Sequence, residues 1–341
     1  MPGQTSSRPS KLRQQGRGGG GPMQTRLAVL GLLALVVGTG GLLLYLRLRQ
    51  QRDAAVAMCY NTENGPEAKS INFKVSTNCE RRFGFVVNVM DPLLQTHACT
   101  GVLVAPRVVV VPASCIEEKK VEYPPVRLGS NHLNPADVPH ENDVRNTCRR
   151  ITHKDYQKNN PKKGADIALL ILESPAVHNA PISGITSLQD CQDPRHSRKG
   201  NMTAFGWFSA GMSQTPSFEL QAVPNLEWVD KAQCRKALGH GTPSGTVCSK
   251  YPNRATIAEW DLGSPILCND EELVGLASYE QMRVSRDVPY VYTHISEYRH
   301  WIESLGEKAS VDETNDEARP ECKAARDVRK IVLKTADDRE L

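Results

Sequence analysis

An uncharged run of twenty residues, 27–46, constrains this 341-residue chain more than any other feature. The run consists mainly of Leu, Val, Ala and Gly, and a helix of this length, at about 1.5 Å per residue, crosses a bilayer core of about 30 Å. The sequence therefore predicts one transmembrane helix over residues 27–46. A signal peptide cleaved after Ala57 is the alternative, but the run is longer than a signal peptide requires and three arginines follow it.

Charge on the two sides of this run predicts its orientation. Residues 1–26 carry five basic and no acidic side chains, and three basic residues follow the run before Asp53. Because basic residues favour the cytoplasmic side, we expect a cytoplasmic amino terminus and a lumenal or extracellular remainder. Residues 1–26 offer almost nothing apolar to bury and are predicted to be a disordered basic arm. Residues 47–70 are predicted to be a stalk.

The net charge of +4 is the sum of a basic amino-terminal segment and an acidic remainder of the chain. Residues 1–52 hold eight of the 42 basic residues and no acidic ones, which leaves 34 basic against 38 acidic residues, or −4, for the remainder. No basic stripe is interleaved with aromatic residues, so nucleic-acid binding is not expected.

All ten cysteines follow the apolar run, as expected for a domain in an oxidising compartment. None has CxxC spacing and no histidine cluster accompanies them, so neither a metal nor another cofactor is predicted. One glycosylation sequon is present, Asn201-Met202-Thr203, and it predicts a glycan on Asn201 unless the strand that leads to Gly206 buries the site.

Several motifs after the run occur in a fixed order: Val108-Val109-Val110-Val111-Pro112-Ala113-Ser114-Cys115, Ala165-Asp166-Ile167-Ala168-Leu169-Leu170, Phe205-Gly206-Trp207, Trp260-Asp261-Leu262-Gly263-Ser264-Pro265 and Pro289-Tyr290-Val291-Tyr292-Thr293. Together they resemble the trypsin-like serine proteases over residues 71–306. The resemblance implies an all-β, chymotrypsin-like fold of two six-stranded Greek-key β-barrels with a C-terminal helix. Four apolar residues are expected on one face of that helix, Ile295, Tyr298, Ile302 and Leu305. Gly306 is expected to cap it, and residues 307–341 form a charged tail.

The resemblance assigns the positions of the catalytic triad to Ser114, Asp166 and Leu262. Ser114 stands where the family has its histidine, and serine has no group that titrates near neutrality and acts as a general base. Leu262 stands where the family has its nucleophilic serine and carries no hydroxyl. The resemblance therefore implies a catalytically inactive homologue without peptidase activity. Ser264 is interpreted as a turn residue.

The substrate cleft is also altered relative to the family. Trp260 replaces the glycine whose amide lines the oxyanion hole, and the specificity pocket is changed at Thr256, Tyr279 and Glu280. We expect Trp260 and Glu280 to fill the cleft. Two explanations remain open, which are drift after the loss of catalysis and reshaping into a protein-binding face. Residues 69–74 do not form the family's Ile-Val-Gly-Gly start, so activation by cleavage is not expected.

The resemblance also implies disulfides. It pairs Cys99 with Cys115 and Cys234 with Cys248. Met202 replaces the usual partner of Cys268, which leaves Cys191 as the nearest candidate. Four cysteines match no pair of the family and are expected to tie the stalk and tail to the domain or to another chain: Cys59, Cys79, Cys148 and Cys322.

The sequence thus predicts a membrane-anchored inactive serine protease homologue that acts as a protein-binding module or regulator, with a protein partner that the residues do not identify. Two alternatives are a residual serine hydrolase with a rearranged active site and a structural spacer domain on the membrane. The first must explain how Ser114, Leu262 and Trp260 support acyl transfer, since triad members act as a unit.

Overall fold

Two compact units make up the chain, Met1–Ala55 and Val56–Leu341. The structure is a computed structural model. It describes residues 41–48, 59, 73–75, 79, 82–93, 95–118, 123–133, 144–194, 200–208, 216–238, 242–250, 262–278, 289–310, 322, 323 and 325.

In the amino-terminal unit, the described part of helix α1 covers residues 41–48. Leu46 is partly buried, and the other large apolar side chains of the helix are more than half exposed: Leu42, Leu43, Leu44, Tyr45 and Leu48. Most of the predicted membrane span, residues 27–40, lies outside the described residues. Among the helices that the structure does describe, none has the length and apolar content needed to cross a bilayer. The transmembrane helix stays a prediction.

The first sheet of the second unit has seven antiparallel strands, in the order β6-β5-β2-β3-β4-β8-β7. They are β2 (Val86–Met90), β3 (His97–Ala105), β4 (Val108–Val111), β5 (Val126–Arg127), β6 (Val144–Arg145), β7 (Thr147–Thr152) and β8 (Ala168–Leu172). Three of the four valines of β4 pair with β3 on one side, all four pair with β8 on the other, and all are fully buried. A β-branched run without alternation is typical of such a central strand.

The second sheet has nine strands, eight of them in the order β1-β11-β10-β14-β15-β16-β13-β12. They are β1 (Phe73–Lys74), β10 (Met202–Gly206), β11 (Gln221–Val223), β12 (Glu227–Val229), β13 (Thr246–Lys250), β14 (Pro265–Cys268), β15 (Glu272–Ala277) and β16 (Tyr290–His294). The ninth, β9 (Gly184–Ile185), pairs in parallel with β15. Strand β1 precedes the whole first sheet in sequence yet pairs with β11 of the second.

The predicted two-barrel, all-β fold with a C-terminal helix is confirmed. The described sheets have seven and nine strands instead of six each. Two-residue pairings account for most of the difference: β6 lies one residue before β7 in the first sheet, and β1 and β9 are two of the three additional strands of the second.

Four further helices belong to the second unit: α2 (Ala113–Glu118), α3 (Leu188–Gln192), α4 (Lys231–Leu238) and α5 (Arg299–Ser310). A 3-10 turn, Ile295–Tyr298, precedes α5. Of the four residues predicted to share the apolar face of the C-terminal helix, Ile295 and Ile302 are buried. Ile295 and Tyr298 lie in the 3-10 turn. The predicted cap at Gly306 is wrong, because α5 continues to Ser310. One glycine inside a helix costs only about 1 kcal/mol relative to alanine, and Glu307, Lys308 and Ala309 favour the helix.

Five disulfides connect all ten cysteines within the chain. The three predicted pairs are confirmed: Cys99–Cys115, Cys234–Cys248 and Cys191–Cys268. The other two are Cys59–Cys79 and Cys148–Cys322, with Cα–Cα distances of 5.7 and 4.4 Å. Of the two alternatives for these four cysteines, the structure has the one in which they tie the stalk and tail to the domain. They form no link to another chain.

His294, the last residue of β16, fixes the start of α3. Its Nε2 atom accepts a hydrogen bond from the Leu188 backbone N–H at 3.2 Å and lies 3.0 Å from Ser296 Oγ. Its Nδ1 atom is 3.7 Å from Glu297 Oε1. Burial lowers the pKa of His294 from 6.5, and the Glu297 carboxylate opposes this with a smaller effect. The fold therefore favours the neutral imidazole, whose Nε2 is free to accept.

Acidification from about pH 7.5 to about pH 5.5 is expected to lower the free energy of unfolding. Because the folded-state pKa of His294 is lowered, the unfolded chain binds more protons between that pKa and 6.5, and stability falls as the pH falls through this window. His294→Gln is expected to lose less stability over the same interval. Denaturant unfolding of both proteins at both pH values measures this, and equal losses would contradict it.

Candidate functional site

Asp166, just before β8, lies at the centre of the site and is fully buried. Its Oδ1 atom accepts a hydrogen bond from the Ser114 backbone N–H at 2.8 Å. Its Oδ2 atom accepts hydrogen bonds from Ser114 Oγ at 2.8 Å and from Ser278 Oγ at 2.6 Å. The Asp166 carbonyl accepts from Thr293 Oγ1 at 2.9 Å. Three of these bonds meet at the carboxyl group, and the fourth, from β16, reaches the backbone carbonyl of the same residue.

The electrostatics of Asp166 are governed by its burial. Burial raises the pKa of the Asp166 carboxyl above 3.8. The hydrogen bonds from Ser278, from Ser114 and from the backbone of Ala113 favour the charged form and lower the pKa, but by less. The carboxyl is therefore held by donors on both of its oxygens and has no contact with solvent.

Ser114 lies in the first turn of α2, directly after β4, and is 1% exposed. The predicted triad positions Ser114 and Asp166 are thus brought together. The Ser114 hydroxyl is the donor in their side-chain hydrogen bond, and it has no group that titrates near neutrality. This position therefore offers no general base.

Leu262 is 6% exposed and belongs to the main hydrophobic core. Its carbonyl accepts a hydrogen bond from the Thr100 backbone N–H of β3 at 2.9 Å, a second link between the sheets. The next residue, Gly263, has φ of 83°, and a Cβ there would overlap the Thr100 carbonyl oxygen. The loop is therefore held close to the first sheet at this point, with an apolar side chain at the predicted nucleophile position.

Ser264 does not supply a second hydroxyl to the site. It is fully buried, and its Oγ atom has no hydrogen-bond partner among the residues that the structure describes. Gly206 leaves the space that Ser264 Oγ occupies, since a Cβ on Gly206 would overlap it.

Ser278 is the residue whose role the sequence did not predict. The sequence placed it only in the wall of the specificity pocket, whereas the structure gives it the shortest hydrogen bond to Asp166, at 2.6 Å. The contact joins residues 112 positions apart, and no feature of the sequence around Ser278 indicated it. Tyr279 and Glu280, together with Thr256 and Trp260, lie outside the described residues, and their roles stay predictions.

Asn201 precedes β10 and is exposed, whereas Thr203 of the same sequon is 2% exposed. No group of three or more His, Cys, Asp or Glu residues in the described ranges is arranged to hold a metal ion.

Comparisons with known proteins identify the family of this chain. The family model Trypsin matches residues 68–302. Kallikrein-8 of Rattus norvegicus is 28% identical over 206 residues, which are 60% of this chain and 75% of that protein. Kallikrein-14 of Homo sapiens is 28% identical over 207 residues, 60% of this chain and 73% of that protein. Anionic trypsin of Canis lupus familiaris is 28% identical over 211 residues, 61% of this chain and 79% of that protein.

A solved structure shares the fold. It is neuropsin, described as a serine protease expressed in the limbic system of mouse brain, and it matches with a TM-score of 0.53 and 23% sequence identity. The match covers 65% of this chain and 94% of that one. The family model extends over more than half of the sequence, and the chain therefore belongs to the trypsin family of chymotrypsin-fold serine proteases.

Proposed function

We propose that this chain is a catalytically inactive, membrane-anchored member of the trypsin family that acts as a protein-binding module or regulator. One observation carries the proposal: Ser114, Asp166 and Ser278 form a closed group in which both serine hydroxyls donate to the same carboxyl.

The chemistry of acyl transfer supports this proposal. A serine protease needs an imidazole that accepts the proton of a hydroxyl nucleophile while an aspartate orients it. Here the Asp166 carboxyl receives its hydrogen bonds from Ser114 and Ser278, and Leu262 has neither a proton to give nor a lone pair to attack with. These positions therefore provide no imidazole to act as the general base and no nucleophile at position 262.

Access to the site supports the same conclusion. Ser114, Asp166, Leu262 and Ser278 are 1%, 0%, 6% and 4% exposed. A peptide bond must approach within about 3–3.5 Å of the reacting atom, and none of these four buried side chains is accessible for such an approach.

Ser114→His combined with Leu262→Ser is expected to give no measurable peptidase activity. The double variant restores two triad side chains but leaves the changes at Trp260 and Glu280 and the missing activation start. The measurement is hydrolysis of arginyl and apolar ester substrates, with dog anionic trypsin as the active control and thermal melting to verify folding. Turnover by the wild type would overturn the proposal, whereas turnover by the double variant alone would refute the argument that Trp260 and Glu280 block the cleft.

The binding role is tested by crosslinking in the native membrane. Lys250, at the end of β13, is exposed and serves as the reporter near the altered cleft, while Lys162 on the first barrel serves as the matched control. We expect Lys250 to crosslink to one protein at higher yield than Lys162. Equal yields, or no crosslinked protein, would favour a spacer over a binding module.

The membrane anchor is supported by the exposed leucines of α1, because a helix that is apolar on all sides suits a lipid environment. Five disulfides suit a lumenal or extracellular domain. In that compartment a glycan is expected on the exposed Asn201, although the burial of Thr203 in the same sequon opposes its attachment. Endoglycosidase treatment is expected to increase the gel mobility of the wild type but not of Asn201→Gln, and a wild type without any shift would argue against this placement.

A further inference from the structure

A cavity of about 790 Å³ opens between α5, the turn that joins β3 to β4, and the segment around β9. Its buried lining is apolar: Val108, Ile182 and Ile302 are 0%, 7% and 3% exposed. None of the residues that surround Asp166 lines it. The cavity has the size of a site that takes several side chains of a ligand, and it is separate from the altered catalytic site.

The rim of this cavity is acidic. Glu272 and Glu303 are exposed rim residues, and Arg299 is the cation among the lining residues. The Arg299 guanidinium donates to the Ile185 carbonyl, so it is engaged with the β9 backbone. An apolar floor with two carboxylates above it favours a ligand that combines branched aliphatic side chains with basic ones.

Two glycines keep the cavity open. Gly184 and Gly306 both line it, and neither has a positive φ. A Cβ on Gly184 would lie 3.6 Å from Glu272 Oε1, and a Cβ on Gly306 would lie 3.9 Å from Val108 Cγ2. Both are ordinary van der Waals distances, so larger side chains at these positions can fill the cavity without straining the backbone.

The disulfide Cys148–Cys322 brings the C-terminal part of the chain to this side of the molecule. Val108, which lines the cavity, pairs with Ile171 of β8, and Ile171 pairs with Arg149 of β7. Neighbouring strands are about 4.8 Å apart and the two cysteine Cα atoms are 4.4 Å apart. Cys322 therefore lies within roughly 20 Å of Val108.

The sequence after Cys322 has the chemistry that the cavity favours. Residues 328–334 read Val-Arg-Lys-Ile-Val-Leu-Lys, with four branched aliphatic residues, three basic residues and no acidic one. They lie outside the described residues. Ala325 is fully buried, and six further residues, at roughly 3.3 Å each, span roughly 20 Å to position 331. The tail is thus long enough to reach the cavity.

We propose that residues 328–334 of this chain dock in the cavity, with Ile331, Val332 and Leu333 against the apolar floor and the basic side chains facing Glu272 and Glu303. The tether makes the contact intramolecular, and a short tether gives effective concentrations on the order of millimolar, which offset modest intrinsic affinity. The docking is independent of whether the chain hydrolyses any substrate.

A photo-reactive residue at position 331 of the full-length protein tests the docking. Ile331 is replaced by p-benzoylphenylalanine, and Asp338 is replaced in the same way as the matched control. We expect Ile331 to crosslink to the cavity-lining segments 104–108, 182–185 and 299–306, identified by mass spectrometry after digestion, and Asp338 not to. Crosslinks to other surfaces of the chain, or only to a second copy seen as a dimer band, would overturn the proposal.

Two pairs of substitutions, made in the protein that carries the photo-reactive residue at position 331, distinguish the effect of the cavity's shape from the effect of its rim charge. Gly184→Phe with Gly306→Phe fills the cavity, and Glu272→Gln with Glu303→Gln removes the rim charge. Each pair is expected to reduce the crosslink yield from position 331, the second by roughly two- to tenfold because two exposed ion pairs are lost. Glu227→Gln, on the distant strand β12, is the charge control and should leave the yield unchanged. Unchanged yields in both pairs, with melting temperatures that verify folding, would contradict docking in this cavity.

Discussion

Replacing Cys148 and Cys322 together by alanine is expected to lower the free energy of unfolding by about 5 kcal/mol, the loop-closure value for a bridge of this span. The bridge joins residues 174 positions apart, so its loss frees the longest loop that any of the five disulfides closes. Denaturant unfolding of the wild type and the double variant under non-reducing conditions measures the difference.

The matched control is the alanine pair at Cys234 and Cys248, which closes a loop with a sequence separation of 14. The same relation gives about 3 kcal/mol for that pair. All four cysteines are at most 2% exposed, so the loss of the buried sulfur atoms is similar in the two variants and cancels in the comparison. A greater loss from the short loop than from the long one would contradict the expectation.

Asp166→Ala is expected to destabilise the protein by about 3–5 kcal/mol, because it leaves buried donors without an acceptor. The donors are the backbone N–H of Ser114 and the hydroxyls of Ser114 and Ser278. Asp155→Ala is the control, since that carboxylate is 67% exposed and its contact with His153 Nδ1 is 3.8 Å long. Thermal or denaturant unfolding distinguishes a loss of this size from the near-neutral change expected at Asp155.

A combined variant tests the cause of this effect. Asp166→Ala with Ser114→Ala and Ser278→Ala removes the acceptor and both hydroxyl donors, so it should be more stable than Asp166→Ala alone. If the three changes together cost as much as the sum of the single changes, the hydroxyls are not held by Asp166 in the way that the geometry indicates.

The overall fold could be predicted because the motifs of the family occur in the expected order along the chain. The strand formed by the valine run of β4 and the pair Cys99–Cys115 were both implied by the resemblance to the family. The pair Cys148–Cys322 did not follow, because the two cysteines are 174 residues apart and neither matches a pair of the family. The end of α5 was also missed, since a glycine near a helix terminus permits a cap without requiring one.

The site was predictable in its members but not in its hydrogen bonding. The sequence identified Ser114, Asp166 and Leu262 as the triad positions, and the structure brings Ser114 against Asp166. It could not predict that Ser278 shares the same carboxyl oxygen, because that contact joins residues 112 positions apart and depends on how the two sheets meet. The triad positions can be located from the sequence alone. The hydrogen-bond donors of a buried carboxyl depend on how distant segments of the chain pack around it.

The bridge Cys59–Cys79 has a mechanical consequence for any chain pulled from its amino-terminal side. Strand β1, Phe73–Lys74, lies inside the loop that this bridge closes and is held to β11 by only two residue pairs. Tension arriving along residues 47–58 passes from Cys59 through the disulfide to Cys79 and continues toward β2. The weak edge pairing of β1 is thereby bypassed, and the load is borne by the interior strand β2 of the first sheet, which pairs on both sides.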